Sequence, residues 1–264
     1  MKALIGTDLE GVAGVVSFDT QTYNGSKYNE QAKMLLTEEV NAAVDGLVEA
    51  GIEDILVVDG HGSGAMSPQS LHPMAKLLHG RPSAPRSARR EIYKEYDFCI
   101  MIGQHAMAGT EDGSMNHTQS SRQVDSYTLN GKPIGEIAQF ALSQGALGLP
   151  LIWLTGDEAA CREVKELIPG IVTTAVKKGL SRTSAISLSP LRSRQLIRQG
   201  AIEAVENHKR DPIKPLTWPG PYVLEKRFFH SEDKDRYDGN PMAEFVDSQT
   251  VRLKSDSIED IIYA

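Results

Sequence analysis

Residues 4–15 read LIGTDLEGVAGV, an apolar run that ends in two carboxylates and then in glycine. The short apolar segment 2–8 (KALIGTD) is predicted to form a buried β-strand. Asp8 and Glu10 lie at its end, two positions apart. Side chains two positions apart in an extended chain point the same way, so these carboxylates repel each other unless a cation or a proton lies between them. The stretch therefore predicts a strand with a cation site at its end.

The following segments alternate between short apolar runs and helical periodicity, which is typical of βαβ units around a mostly parallel sheet. Apolar residues recur at helical spacing over residues 28–50, and Gly51 follows as a C-cap. Further buried strands are predicted at residues 54–62, 97–106 and 149–157. The less regular stretch 66–90 is expected to hold one short strand and a surface loop.

The second half of the chain has a more mixed pattern. Residues 126–136 are typical of a β-hairpin with Asn130 and Gly131 as a type I′ turn. Asp157 is expected to cap the helix that follows the strand at 149–157. Helices are predicted at residues 135–146, 158–167, 189–208 and 257–264, and a strand at residues 250–255.

These elements predict an α/β fold with a mostly parallel central sheet flanked by helices and a smaller C-terminal α+β part. Two regions are predicted: a metal-binding catalytic α/β domain over residues 1–215 and a C-terminal extension or lobe over residues 216–264.

The composition excludes several classes of function. A net charge of −7 and a pI near 5.5 disfavour nucleic acids and anionic membranes as partners, because the protein's field repels both. Two cysteines, Cys99 and Cys161, give no disulfide framework and are interpreted as core residues of a protein from a reducing compartment. No signal peptide or membrane-spanning run is recognisable, so a cytoplasmic location is expected.

Three of the predicted strands end in side chains that bind metals. The first strand ends in Asp8 and Glu10, the second delivers His61, and the third delivers His105. Ligands of open α/β sheets bind beyond the carboxyl ends of the strands, so these groups converge if their strands are neighbours. The mixed imidazole and carboxylate set suits zinc, with Mn²⁺ or Co²⁺ as close competitors, and disfavours Ca²⁺ and Mg²⁺.

Each of these residues also has an ordinary structural interpretation. The carboxylate pair could cap a helix or form a hydrogen-bonded turn, and each histidine could be a loop residue or a half-buried imidazole. Two further candidates are His117, in the loop after His105, and Glu136, which opens a helix. Spacing alone favours a helix-terminal charge for Glu136 and an exposed loop position for His117.

Five motifs in order resemble those of the zinc D-aminopeptidases of the DppA family, peptidase family M55. They are DLEGVAGV, VVDGHGS, GQHAMAG, GSMNHT and NGKPIGE. The later segments TGDEAA, IPGIVTTAVKKGLSRTSA and LSP are also similar, so the resemblance covers residues 1–215. Asn116 stands where the family usually has serine, and the segment from His105 to His117 is longer than in the family.

The resemblance implies that Asp8 bridges two zinc ions in each subunit. The ligands implied for one ion are Glu10 and His61, and those for the other are His105 and Glu136. His117 matches the catalytic histidine of the family.

The activity implied is hydrolysis of N-terminal D-amino acids, such as D-Ala, from short peptides or amides by a zinc-activated water. The family also implies a ring-like homo-oligomer, for which a decamer is one expected size. Two alternatives remain open on the sequence. One is a two-metal phosphoesterase, with Arg122, Lys177 or Arg182 as phosphate clamps, and the other is a non-catalytic, metal-dependent binding protein.

Overall fold

The computed structural model describes all 264 residues. The strands are β1 (Lys2–Thr7), β2 (Asp54–Asp59), β3 (Ala75–Leu78), β4 (Phe98–Gln104), β5 (Val124–Leu129), β6 (Lys132–Ile134), β7 (Leu151–Asp157), β8 (Val172–Ser181), β9 (Ser184–Ser187), β10 (Tyr222–Phe228), β11 (Ala243–Phe245) and β12 (Thr250–Ser255). The α-helices are α1 (Asn29–Glu49), α2 (Arg86–Tyr93), α3 (Glu136–Ala146), α4 (Glu158–Leu167), α5 (Pro190–Arg210) and α6 (Ile258–Ile261).

Seven strands form the central sheet in the order β3-β2-β1-β4-β7-β8-β9. All neighbouring pairs are parallel except β8 and β9, which form an antiparallel hairpin at the edge. A second, antiparallel sheet has the order β11-β12-β10-β5-β6. The predicted α/β class with a mostly parallel central sheet is confirmed.

Helices cover both faces of the central sheet, because its strands are apolar on both sides. Ala3 and Ile5 of β1 belong to the core that includes α1 and α5, whereas Leu4 packs into a second core with α3 and α4. This alternation follows from the two-residue period of a strand. Cys99 and Cys161 are buried in the second core, as predicted. No helix has both the length and the apolar character that crossing a membrane requires.

The stretch 66–90 contains the predicted short strand, β3, and the predicted surface loop, an exposed segment over residues 79–85, but the helix that begins in this stretch was not predicted. Helix α2 begins at Arg86, directly after its N-cap residue Pro85. Hydrophobic periodicity does not predict this helix, because Tyr93 is its only buried residue. The closing helix is also shorter than expected, since α6 covers only Ile258–Ile261.

Asp157 occupies the predicted N-cap position of α4, but its side chain does not cap the helix. Its carboxylate instead accepts hydrogen bonds from the backbone N–H groups of Ser114, at 2.7 Å, and Gly179, at 3.2 Å. The carboxylate therefore ties the loop before His117 to β8. The type I′ turn is confirmed, since Asn130 and Gly131 both have positive φ angles, 51° and 77°.

The antiparallel sheet takes β5 and β6 from the middle of the chain and β10, β11 and β12 from its end. It therefore draws strands from both sides of the boundary predicted between residues 215 and 216. Division of the chain into regions 1–215 and 216–264 stays a prediction.

Glu39 of α1 is buried against α5 and gives the fold a pH dependence. Its Oε1 accepts hydrogen bonds from Ser193 Oγ and from the backbone N–H of Ala13, whereas Oε2 has no partner. Burial raises the pKa of Glu39 from its ordinary 4.5 to about 7. The folded state therefore favours the neutral acid, and stability falls as the pH rises from 4.5 through about 7.

We expect Glu39→Gln to remove this loss. The free energy of unfolding of the wild type, relative to the variant, should fall by about 3 kcal/mol between pH 4 and pH 8, at 1.36 kcal/mol per pKa unit. Urea titrations at both pH values measure the difference. Glu30→Gln, at an exposed position of the same helix, is the matched control and should show no such change. A constant difference between wild type and Glu39→Gln would contradict the assignment.

Candidate metal centre

The strand order places β2, β1 and β4 side by side, as the convergence of their carboxyl ends requires. Asp8 and Glu10 follow β1, His61 follows β2, and His105 follows β4 directly. These side chains lie at the same edge of the central sheet. All are largely buried, and Asp8, Glu10 and His105 are 7%, 3% and 1% exposed.

Glycines allow the backbone of the opening motif to lie directly against the end of β4. Asp8 N–H donates to the carbonyl of Ile102 at 2.8 Å, and Gly11 N–H donates to that of Gly103 at 2.7 Å. A Cβ atom at Gly11 would lie only 2.0 Å from the carbonyl oxygen of Gln104. Gly103 adopts a positive φ of 75°, which is strained for other residues. The glycine after the carboxylate pair is therefore required by the close approach of two chain segments.

His105 lies between two carboxylates. Its Nε2 is 3.1 Å from Asp8 Oδ2 and 3.4 Å from Glu136 Oε1. Its Nδ1–H donates to the carbonyl of Ala106 at 2.9 Å, which leaves the lone pair of the neutral ring on Nε2. This backbone contact is the usual device that orients a metal-ligating histidine.

Glu10 and His61 form a second pair, with Nε2 of the imidazole 3.3 Å from Oε1 of the carboxylate. Arg81 stabilises the loop that carries His61, since its guanidinium donates to the carbonyls of Asp59, His61 and Gly62. The loop therefore holds His61 in place although glycines flank it.

His117 lies against the same cluster and is 8% exposed rather than the exposed loop residue that its spacing suggests. Its ring stacks on that of His105 with centroids 4.1 Å apart, and the edge of Phe18 contacts it at 5.4 Å. Its Nδ1–H donates to the carbonyl of Met115 at 3.0 Å. Met115 and Gln119 on either side have positive φ angles of 56° and 62°. Such strained backbone persists only where the surroundings enforce it, and it clusters at functional sites.

Glu136 opens α3 and points into the cluster. Its Oε1 lies 3.4 Å from His105 Nε2 and 3.6 Å from His117 Nε2, and it accepts a hydrogen bond from the backbone N–H of Gln119 at 2.7 Å. The helix-terminal position predicted from spacing is correct. The same position also brings the carboxylate to the two imidazoles.

The side chains present fit a divalent cation. One ligand atom from each of Asp8, Glu10 and His105 lies within 4.8 Å of the others, and the same holds for His105, His117 and Glu136. His105 Nε2 and Glu10 Oε2 are buried and have no hydrogen-bond partner. Buried polar atoms without partners are uncommon in folded proteins, so these two atoms are suited to coordinate a metal ion.

The charges of the cluster also favour a cation. Burial raises the pKa of Asp8 to about 7, and the neighbouring charge of Glu10 adds to the effect. Burial opposes ionisation of Glu10, but His61, His117 and His105 together outweigh it and hold the pKa of this carboxyl well below its ordinary value. Burial and the neighbouring His105 lower the pKa of His117. A bound cation would stabilise the ionised carboxylates and the neutral imidazoles together.

The supporting roles of Gln104 and Lys177 were not predicted, because neither residue type is a usual metal ligand. Gln104 Nε2 donates to Asp8 Oδ2 at 3.3 Å, and Lys177 Nζ donates to the backbone carbonyls of Glu10 and Val15. Both side chains orient the segment that carries the carboxylate pair. Gln104 lies at a strand end next to His105, which is the one signal that could have indicated it.

Arg182 supports the loop of His117 from the opposite side. Its Nε donates to the carbonyl of Asn116 at 3.2 Å and its Nη2 to that of Ser121 at 3.3 Å. Asn116 braces the same loop by accepting from Gly109 N–H and donating to the Gly113 carbonyl. The loop is thus held by side chains on both sides.

Comparison with known proteins decides the family. The family model described as D-aminopeptidase, peptidase family M55, matches residues 1–264. This chain belongs to the D-aminopeptidase family. The match extends beyond residues 1–215, over which the motifs are recognisable, and it confirms the predicted family and enzyme class, a metallo-aminopeptidase of D-aminopeptidase type.

A sequence comparison and a structural comparison illustrate the similarity. A D-aminopeptidase of Bacillus subtilis (strain 168) is 31% identical over 229 residues, which cover 86% of this chain and 81% of the relative. The solved structure of the Zn-dependent D-aminopeptidase DppA from Bacillus subtilis, described as a self-compartmentalizing protease, superposes with a TM-score of 0.89 at 27% identity. That superposition covers 99% of this chain and 94% of the other, so the two proteins share their whole fold.

Proposed function

We propose that this D-aminopeptidase family member binds two zinc ions at the edge of its central sheet and removes N-terminal D-amino acids from short peptides. The observation that carries the proposal is the buried set of imidazoles and carboxylates around His105, whose Nε2 has no hydrogen-bond partner. Asp8 would be shared between the ions. Glu10 and His61 would bind only one ion, and His105 and Glu136 would bind only the other.

The zinc ions would supply a water whose pKa falls from about 15.7 to about 7 and would polarise the scissile carbonyl. The protein's own residues perform the remaining tasks. His117 Nε2 faces the cluster while its Nδ1–H is held by Met115 O, so the ring can accept a proton on Nε2 and deliver it to the leaving amine. Gln104 and Lys177 hold the carboxylate segment, and a carboxylate oxygen of Glu136 lies 3.6 Å from His117 Nε2.

Stereochemical preference follows from family membership and is tested directly. We expect the zinc-loaded protein to hydrolyse D-Ala-D-Ala at least about 100-fold faster than L-Ala-L-Ala, because a mirror-image α-carbon moves the carbonyl away from the positioned groups and misplacement alone costs this factor. Amino-acid release measured by chromatography reports both rates. Equal rates, or faster cleavage of the L-dipeptide, would contradict the D-specific proposal.

Several exposed apolar residues support a homo-oligomer. Leu180 and Ile186 of the β8–β9 hairpin and Leu191 at the start of α5 are 58%, 62% and 63% exposed. Apolar groups concentrated at one edge of a sheet are typical of a subunit interface. We propose a ring-like assembly, with a decamer as one form, and light scattering should give a mass several times 28.9 kDa. A monomer in solution would contradict it.

The phosphoesterase alternative has little support in the site. Of its three proposed phosphate clamps, Lys177 and Arg182 are committed to backbone carbonyls, and Arg122 pairs with Asp19 at the surface. A peptide substrate therefore agrees better with the geometry.

A further inference from the structure

The metal centre opens into an elongated cavity of about 610 Å³. One face of α3 forms a wall of it. Its lining residues recur at helical spacing and are Glu136, Phe140, Ser143, Gln144 and Leu147. From Glu136 to Gln144 the helix rises about 12 Å, at 1.5 Å per residue. The cavity therefore continues well beyond the cluster and has the size of a small-ligand site, about 300–1,000 Å³.

Three arginines of α2 line the same cavity: Arg86, Arg89 and Arg90. Their spacing of three and four positions places them on one face of the helix. Arg90 donates to the carbonyl of Glu259 at 2.6 Å and also lies 3.5 Å from its carboxylate. Arg86 and Arg89 form no ion pair; Arg89 Nε donates only to the carbonyl of Ala84. Two guanidinium groups in the cavity wall thus remain without an anionic partner.

Helix α6 joins this wall to the wall that carries the metal ligands. Gln139 Nε2 of α3 donates to the carbonyl of Ile262, the residue that ends α6, at 2.6 Å. Glu259 of α6 holds Arg90, and Tyr263 lines the cavity between them. The arginines and the metal centre therefore belong to one continuous site rather than to separate surfaces.

The arginine cluster is unfavourable for α2 itself. Like charges three and four positions apart destabilise a helix, and Arg86 lies in the first turn, where the helix dipole disfavours positive charge. Burial lowers the pKa of Arg86, and the charges of Arg89 and Arg90 add to that effect. A bound anion would relieve all of these costs. In a chain of net charge −7, two arginines without an anionic partner in a cavity wall are a local exception, and they favour an anionic ligand.

The wall of α3 offers a complementary polar group. Gln144 is 3% exposed, lines the cavity, and its Oε1 has no hydrogen-bond partner. A buried acceptor of this kind matches a donor on the ligand, such as the N–H of a peptide. The ligand that fits the cavity therefore carries an N–H group as well as an anion.

We propose that Arg86 and Arg89 bind the free C-terminal carboxylate of the peptide substrate while its amino end lies at the metal centre. The inference rests on the peptidase activity above and adds to it recognition of the substrate's free C-terminus. An extended peptide spans about 3.3–3.6 Å per residue, so about three residues span the ~12 Å that α3 covers along the cavity wall. A guanidinium group suits this role because it binds a carboxylate with two parallel hydrogen bonds.

The test compares the tripeptide D-Ala-D-Ala-D-Ala with its C-terminal amide in the zinc-loaded protein, because about three residues match the length of the cavity wall. In the wild type we expect KM for the amide to be about 10–100-fold higher, the range for a lost charge-assisted hydrogen bond. The double variant Arg86→Gln/Arg89→Gln should raise KM for the free acid by the same factor, leave kcat for both compounds unchanged, and leave KM for the amide unchanged. Arg86→Lys/Arg89→Lys should recover part of the loss, since lysine keeps the charge.

The matched control is Arg192→Gln/Arg210→Gln, which removes two exposed arginines of α5 and changes the net charge equally. It should behave as the wild type. Unchanged hydrolysis of the amide by the double variant of α2 shows that the metal centre is intact. Equal KM values for acid and amide in the wild type, or an equal loss for both compounds in the variant, would overturn the proposal while leaving the peptidase activity standing. Cleavage of neither compound by the wild type would contradict the peptidase activity and this inference together.

Discussion

Replacing Asp8 with asparagine is expected to remove both of the proposed zinc ions and to lower kcat/KM by at least about 10³-fold, because no other group then lowers the pKa of the attacking water from about 15.7 to about 7. Asp8 lies between the two halves of the cluster. Its Oδ2 is 3.1 Å from His105 Nε2, and its carboxylate shares a set within 4.8 Å with that of Glu10. Elemental analysis of the purified variant, alongside hydrolysis of D-Ala-D-Ala, measures both effects.

Glu10→Gln separates the roles of the two carboxylates. Glu10 contacts His61 rather than His105, so its loss should release chiefly one ion. Both substitutions keep the size of the original side chain, and the amide oxygen introduced by Asp8→Asn still offers an acceptor to the N–H of Leu9. The control is Asp45→Asn, an exposed carboxylate of α1. Retention of both ions by Asp8→Asn would contradict the role of Asp8 as a shared ligand. Loss of both ions from Glu10→Gln would contradict the role of Glu10 as a ligand of one ion only.

The parallel core of the fold was predictable because its signals are local. Each buried strand is a short apolar run, and each long helix has an apolar stripe, so β1, β2, β4 and β7 follow from the sequence within a few residues. Their convergence followed only on the condition that the strands are neighbours, since carboxyl ends of adjacent parallel strands share one edge. The order of the strands did not, because pairing depends on packing between distant segments.

The parts that escaped prediction depend on tertiary contacts. Helix α2 has a single buried residue, Tyr93, and carries arginines on one face, so neither an apolar stripe nor a cap indicates it. Its basic spacing of three and four positions is visible in the sequence, and it is the signal that could have suggested a helix. The position of Glu136 in the site could not be predicted from spacing either, because only the folded chain brings this helix-terminal carboxylate within 3.4 Å of His105 Nε2.

His117 is proposed to act on the leaving group, and we expect His117→Ala to lower kcat about 10²–10⁴-fold, the usual contribution of general acid–base catalysis. Metal content should stay unchanged, because His117 is not among the proposed ligands. The orientation of the ring supports this role. With Nδ1–H donating to Met115 O, the neutral ring has its lone pair on Nε2, the atom that faces Glu136. Steady-state kinetics with D-Ala-D-Ala and elemental analysis of the same preparation test both statements.

A change of leaving group distinguishes proton delivery from a purely structural effect. D-Alanine p-nitroanilide releases a weakly basic amine that needs less protonation, so His117→Ala should impair its hydrolysis much less than that of D-Ala-D-Ala. Added imidazole should restore part of the dipeptide activity by replacing the missing ring. His79→Ala, which removes an exposed histidine, is the matched control and should leave all rates unchanged. An equal loss for both substrates without rescue by imidazole would show that His117 holds the site together instead of transferring a proton.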